Sequence, residues 1–282
     1  MKNVSVTNTP THRIALGIEY TGARFYGWQK QPDQRTVQTE LEKALARFVT
    51  KPVATICAGR TDTGVHAVSQ VVHIDVACQR GEANWVRGVN SFLPNDVAVR
   101  WARKVDADFS ARFSASSRTY EYWIYNDPIR SPVFDAFTGW VWRPLEADRM
   151  QEACRFLLGK HDFTSFRAAD CQAATPVRTV HAISVERFGS LICIRISADA
   201  FLQHMVRNIV GSLVYVGIGR ESVCWIQDVL NARCRALAAP TFAACGLYLT
   251  GVQYPERYRL PSVGQSPLRA LVSAVYPDLS NI

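Results

Sequence analysis

From Arg13 onward the chain alternates between two rhythms of apolar and polar positions. RIALGIEY (13–20) and VAVRWARKV (97–105) carry the short-period pattern of strands. TVQTELEKALARFVT (36–50) instead sets Val37, Leu41, Ala44, Leu45 and Phe48 on one helical face, with Thr36 as cap and Pro52 as stop. VATICAG (53–59) reads as a strand and RTDTGVHA (60–67) as a turn. SQVVHIDVA (69–77) reads as a strand with Gln70, Val72, Ile74 and Val76 on one side. ANWVRGVNSFL (83–93) is a short helix ended by Pro94, Asn95 and Asp96. The predicted order is β-α-β-β-α-β, the ferredoxin-like arrangement. TGARFYGWQKQPDQR (21–35) is a long loop whose Phe25, Tyr26 and Trp28 either pin it to the core or stack on a partner.

The second half repeats that rhythm without clear residue-level identity. RTYEYWIYN (118–126) is a strand and EADRMQEACRFLLG (146–159) a helix. VRTVHAISVERFG (177–189) and SLICIRISA (190–198) form a hairpin. FLQHMVRNIVGSLVYVG (201–217) is a helix with Met205, Ile209, Val210, Leu213 and Val216 inward. A short helix follows near 222–232, and GLYLTGVQY (246–254) closes as a strand. The expected fold is therefore α+β: two ferredoxin-like, RRM-like subdomains side by side, with antiparallel sheets and a cleft between them. The expected boundaries are a loose N-terminus (1–12), an N-terminal subdomain (13–106), a C-terminal subdomain (107–260) and a tail (261–282) that adds nothing.

Composition narrows the class. The 282 residues are 48% hydrophobic and 20% charged, enough apolar surface for a real core. Lys plus Arg number 32 against 24 Asp plus Glu, a net charge of +8 that suits a polyanion such as nucleic acid. None of the eight cysteines lies in a C-x-x-C pair, so zinc-ligand spacing is absent and buried, reduced thiols in a cytoplasmic protein are expected. MKNVSVTNTPTHR has no apolar h-region, and the longest near-apolar stretch, 209–219, is too short to span a bilayer.

The most specific string is Gly59-Arg60-Thr61-Asp62-Thr63-Gly64-Val65-His66-Ala67, one carboxylate in a turn between two glycines. Three readings compete. Asp62 could simply hydrogen-bond backbone N–H groups of the turn. It could be half of an aspartic-protease dyad, but no second Asp-Thr-Gly exists and Arg60 would hold the acid ionised. Or it could be a nucleophile or general base in a basic pocket, favoured by Arg60 and a further Arg nearby. Arg207 stands on an otherwise apolar helix face and needs a partner.

With that string in view, the chain resembles the tRNA pseudouridine synthase A family, whose catalytic motif is usually written G-R-T-D-x-G-V-H-A. FSARFSASSRTYEYWI (109–124), DFTSFRAADCQAATPVRTV (162–180), FLQHMVRNIVGSLVYVG (201–217) and GLYLTGVQYPERY (246–258) match in order, so the resemblance runs from about residue 13 to 260. The catalytic string departs only at Thr63, where many relatives carry Ala. The resemblance implies isomerisation of uridine to pseudouridine at positions 38 to 40 of the tRNA anticodon arm, by a homodimer. It makes Asp62 the catalytic aspartate, Arg207 its basic partner, Tyr120 the tyrosine packing on the target base, and Arg60 the residue that helps eject the base.

The physical reading stands beside it. Breaking C1′–N1 and making C1′–C5 moves no electrons in or out, so no redox cofactor and no metal are expected. A carboxylate can attack an anomeric carbon, as in retaining glycosidases. The freed uracil must be gripped while it rotates, and an aromatic face does so without blocking in-plane rotation. A paired uridine must first be flipped out; the loop carrying Arg60 and His66 is placed to fill the gap. Arg24, Arg80, Arg112, Arg118, Arg167 and Arg178 are candidate phosphate contacts. The competing class is a basic RNA-binding module without catalysis, for which the RNP1 pattern is missing.

Overall fold

The computed structural model describes residues 11–261 and 264–275. Most of the expected loose N-terminus lies outside them. The first half runs β1 (His12–Tyr20), α1 (Val37–Val49), β2 (Ile56–Cys57), β3 (His66–Val76), α2 (Glu82–Asn90) and β4 (Val97–Val105). The second half runs β5 (Ser117–Asn126), β6 (Gly139–Val141), α3 (Ala147–Cys154), β7 (Gly159–Asp162), β8 (Val177–Phe188), β9 (Leu191–Ala198), α4 (Met205–Gly217), α5 (Trp225–Ala232), β10 (Leu247–Gln253) and α6 (Pro267–Val275). This is a mixed α/β architecture around one large, mostly antiparallel sheet.

The sheet has ten strands, in the order β4-β1-β3-β10-β5-β9-β8-β7, with β2 on β3 and β6 on β5. Among the described residues the strands of the two halves meet only where β3 and β10 run parallel, through Tyr248 opposite His66 and Leu249 opposite Ala67. The chain enters β3 directly from the 58–65 loop, so that loop lies at the seam.

Local chemistry accounts for the elements. The Thr36 side chain caps α1 by accepting from Thr39 N–H, and Val37, Leu41, Ala44 and Leu45 are buried as the period required. Phe48 meets Trp85 of α2 edge-on at 5.1 Å. The long 21–35 loop is pinned inward: Phe25 and Trp28 are buried, Tyr26 is exposed, and Arg35 grips Asp96 with two 2.8 Å hydrogen bonds. On β5, Tyr120 and Tyr122 face one way and Glu121 and Trp123 the other, the strict alternation of a strand.

Several expectations change. The strand at 53–59 shrinks to Ile56–Cys57, because Glu42 captures both the N–H and the hydroxyl of Thr55 and bends the chain. The 146–159 helix stops at Cys154, and Gly159 already belongs to β7. The 201–217 helix starts only at Met205, since His204 is left-handed at φ +61°. β3 is covered on both faces, with Val71 and His73 buried as well as Gln70, Val72, Ile74 and Val76. The tail is not inert: α6 packs Leu268 and Val272 against Trp123, Phe188, Cys193 and Tyr248. Two cysteines, Cys224 and Cys234, are exposed rather than buried.

Candidate active site

The loop from Ala58 to Val65 is clamped at its backbone. Ala58 N–H bonds Val71 O at 2.8 Å, and Gln70 Nε2 donates to Gly59 O at 2.7 Å. Thr61 Oγ1 shares a 2.7 Å hydrogen bond with the Tyr20 hydroxyl, while Trp28 N–H donates to Thr61 O. The turn closes through Val65 N–H to Asp62 O at 3.1 Å, with Gly64 at φ +81°, a conformation only glycine adopts without strain. Gly27 lets the long loop close in: a Cβ there would stand 2.7 Å from Thr61 O. Thr63 points outward and is exposed. With its backbone so held, the loop presents the Asp62 side chain at 30% exposure.

Arg207, in the first turn of α4, meets that side chain from 145 residues away: Nη1 lies 3.1 Å from Oδ2. Its own aim is fixed by Nε donating to Phe242 O at 2.8 Å, while Phe242 N–H returns a bond to Arg207 O. A third group escapes the sequence reading. His204 Nε2 lies 3.4 Å from the same Oδ2. Both partners fall on one oxygen, and among the described residues Oδ1 accepts no hydrogen bond. Nothing in the sequence singles His204 out except its place one turn before Arg207.

Tyr120 stands beside this pair, its hydroxyl 4.0 Å from where a Cβ on Gly59 would be. Phe201, also missed from sequence, meets its ring edge-on at 5.0 Å. Burial, reinforced by the nearby charge of Asp62, pushes the Tyr120 phenol well above its ordinary value. It is therefore a neutral hydroxyl that can pass a proton on but does not start as a base. Asp62, Arg207 and Tyr120 thus come together from three distant strings.

Other candidates scatter. Arg60 is exposed and makes no hydrogen bond to protein among the described residues. His66 is sealed, contrary to a gap-filling role: Nδ1 accepts from Gly22 N–H at 3.1 Å, and Nε2 lies 3.0 Å from both Ala136 O and Cys245 O. Its ring stacks on Tyr248 at 4.7 Å. Burial lowers its pKa, and these partners fix a neutral ring protonated at Nε2. Arg118 turns inward to the carbonyls of Ala115, Asp199, Ala58 and Arg112, so its guanidinium is spent on the fold and not on phosphate. Arg178 closes its own turn on Thr175 O and Val177 O, and Arg167 is bound to Cys171 O. Arg24, Arg80 and Arg112 are exposed.

Among the described residues no group of three or more His, Cys, Asp or Glu could hold a metal ion, and no helix is long and apolar enough to cross a membrane. Cavities of about 510 Å³, beside Tyr215 and Arg235, and about 460 Å³, beside His66 and Tyr248, both exclude Asp62. The Asp62 side chain itself is 30% exposed, so a group brought to the surface can reach it.

A carboxylate with one oxygen held by a guanidinium and the other free, next to a neutral phenol, is a site for nucleophilic or base chemistry on an exposed group. The profile of the family described as tRNA pseudouridine synthase matches residues 17–114 and 153–255. The chain is 52% identical over 255 residues to tRNA pseudouridine synthase A of Herminiimonas arsenicoxydans, covering 89% of this chain and 93% of that one. It is 52% identical over 259 residues to tRNA pseudouridine synthase A of Enterobacter sp. (strain 638), covering 92% and 96%. This chain belongs to the tRNA pseudouridine synthase family. Among solved structures, a Cbf5-Nop10-Gar1 complex aligns with TM-score 0.34 and 12% identity, over 83% of this chain and 57% of that one.

Proposed function

We propose that this protein isomerises uridine to pseudouridine in tRNA, at positions 38 to 40 of the anticodon arm. The observation that carries this reading is the Asp62–Arg207 pair, a 3.1 Å contact that leaves Oδ1 unpartnered beside Tyr120. Asp62 could attack the ribose, add to the ring, or take a proton from C2′. In each case the carboxylate gives up its negative charge through a free oxygen, and Oδ1 supplies one. Arg207 holds the Asp62 side chain in one orientation until that moment. Tyr120 lies against the uracil while it turns from N1 to C5 attachment, and its hydroxyl relays the proton lost from C5. Arg60, free at the lip of the loop, enters the space the flipped base leaves.

The remaining assignments follow from the family likeness. Residues 13–106 and 107–260 form two ferredoxin-like halves; the orders β4-β1-β3 with β2 on β3, and β10-β5-β9-β8, support that division. The working unit is a cytoplasmic homodimer that requires neither metal nor cofactor, and Arg24, Arg80 and Arg112 remain available to phosphate. The test is tritium release from tRNA carrying C5-labelled uridine. The wild-type protein releases it and Asp62→Asn does not. A wild-type protein that binds tRNA without release would instead make this a basic RNA-binding module.

A further inference from the structure

Phe113 is the most exposed large apolar side chain among the described residues, at 80%. Single surface apolar residues are commonplace. This one differs in how its loop is built. Ser110 N–H donates to Ser114 Oγ and Ser114 N–H to Ser110 O, both at 2.9 Å. Phe113 N–H donates to Ser110 Oγ at 3.3 Å, and Ala111 N–H to His73 Nδ1 at 3.1 Å. The Tyr254 hydroxyl donates to Ala111 O at 2.7 Å. Ala111 and Phe109 are fully buried. The segment is thus tied down on every side, and what it holds out rigidly is an aromatic ring.

That ring is coupled to the active site by a single nitrogen. Arg118 Nη2 donates at once to Arg112 O, at 2.7 Å, and to Ala58 O at the start of the catalytic loop, at 3.0 Å. The Arg112 guanidinium carbon lies 5.2 Å from the Phe113 ring centre. Burial pushes the Cys57 thiol up to about 11 against the pull of the Arg60 and Arg112 charges, and both of those arginines are exposed. The segment held against the start of the catalytic loop therefore offers an exposed aromatic face and a cation, and the 58–65 and 110–114 segments together carry no carboxylate except Asp62.

We propose that Phe113 is a stacking platform for an unpaired base of the RNA next to the flipped uridine, with Arg112 taking the adjoining phosphate. The proposal rests on reading the protein as an enzyme that acts on RNA. An aromatic ring stacks on any base, which suits a site that must accept different neighbours of its target. Because the loop is already rigid, binding pays little ordering entropy there. Arg118, expected from sequence to grip phosphate itself, becomes the positioning residue that fixes the platform relative to the catalytic loop.

The test uses the full-length protein and an unmodified tRNA transcript. Phe113→Ala and Phe113→Leu are expected to weaken tRNA binding about five- to a hundredfold, the loss falling mainly on KM. Phe113→Trp is expected to restore affinity, and its added indole fluorescence to be quenched on titration with the transcript. Arg112→Ala is expected to lower affinity and make the salt slope shallower by about one. Wild-type affinity in Phe113→Leu, or an added indole signal in Phe113→Trp that the transcript leaves unquenched, overturns the platform. So does a change of oligomeric state in Phe113→Ala with tRNA affinity intact, which would make the ring a protein contact. Binding measured in the Asp62→Asn background separates this from the isomerase reading: loss of tritium release there leaves the platform's affinity effect in place.

Discussion

Neighbouring residues of β5 serve two guanidinium–carboxylate clusters on opposite faces of the sheet. On one face Tyr120 overlooks Asp62 and Arg207. On the other, Glu121 meets Arg269 of α6, whose Nε lies 3.0 Å from Oε1, and Arg269 also reaches Glu186 at 3.3 Å. Ser266 and Trp123 close the other Glu121 oxygen, the Ser266 hydroxyl being shared between them. Glu121 and Arg269 are 1% and 6% exposed, where Asp62 and Arg207 are 30% and 16%. The ionic chemistry is the same; what differs is closure. Both Glu121 oxygens are engaged, Oε2 by hydrogen bonds and Oε1 by the close approach of the Arg269 guanidinium, whereas among the described residues Asp62 Oδ1 has no partner. A buried pair of the first kind specifies packing, while a half-satisfied one at the surface is available for a reaction.

The strongest way to break that comparison is to swap charge for isosteric neutrality at each cluster. Asp62→Asn should lower turnover by about 10⁴-fold or more with the melting temperature close to wild type, because the amide keeps the shape and loses the nucleophile. Arg269→Met should do the reverse. Leaving Glu121 sealed without its partner should cost about 3–5 kcal/mol in denaturant unfolding. Glu121→Leu combined with Arg269→Met should recover most of that loss. If Arg269→Met proves neutral in stability, or if it abolishes turnover in protein that is still folded, the two clusters are not the separate devices described.

Sequence reasoning reaches the first cluster and misses the second for a physical reason. Asp62 sits in a distinctive turn, and Arg207 interrupts an apolar helix, so each betrays itself locally. Arg269 interrupts PLRALVSAV in the same way, but that helix is short, follows a run of loop residues, and its partner Glu121 looks like an ordinary outward strand position. His66 groups with Asp62 in sequence because they are four residues apart; the chain has by then entered β3, and the ring faces Tyr248 on the sealed side. Arg118 looks like a surface cation because no local pattern announces that four carbonyls converge on it. His204 requires the folded contacts, since its partner Asp62 is far from it in sequence, and Phe113 requires the fold to show how exposed its ring is and how firmly its loop is held.

The next effect in size sharpens what an open cluster tolerates. His204 holds φ +61°, ψ 3°, a left-handed backbone that suits glycine better than histidine. Such strain persists where the surroundings demand it. His204→Gly should therefore leave stability unchanged or slightly raised, while removing the ring that stands 3.4 Å from Oδ2. We expect kcat to fall about tenfold, on the scale of one hydrogen bond to a charged group. Unchanged kcat would mean that Arg207 alone orients the carboxylate.

The smallest effect concerns acid, and it belongs to the sealed face. His66 is buried and neutral, with its pKa lowered by burial; His73 is lowered too, by burial first and then by the Arg13 charge. The unfolded chain takes up these protons near pH 6.5, the folded protein only at lower pH. Below about pH 6.5 the unfolded state therefore binds more protons, and stability falls with pH until the folded rings titrate. The slope is at most about 1.4 kcal/mol per pH unit for each histidine. His66→Phe keeps an aromatic ring against Tyr248 but strands the Gly22 N–H and the two carbonyls, so it should be less stable at pH 7 and yet flatter between pH 6.5 and 5. Denaturant midpoints across that range measure both. A variant as steep as wild type would return the acid sensitivity to His73.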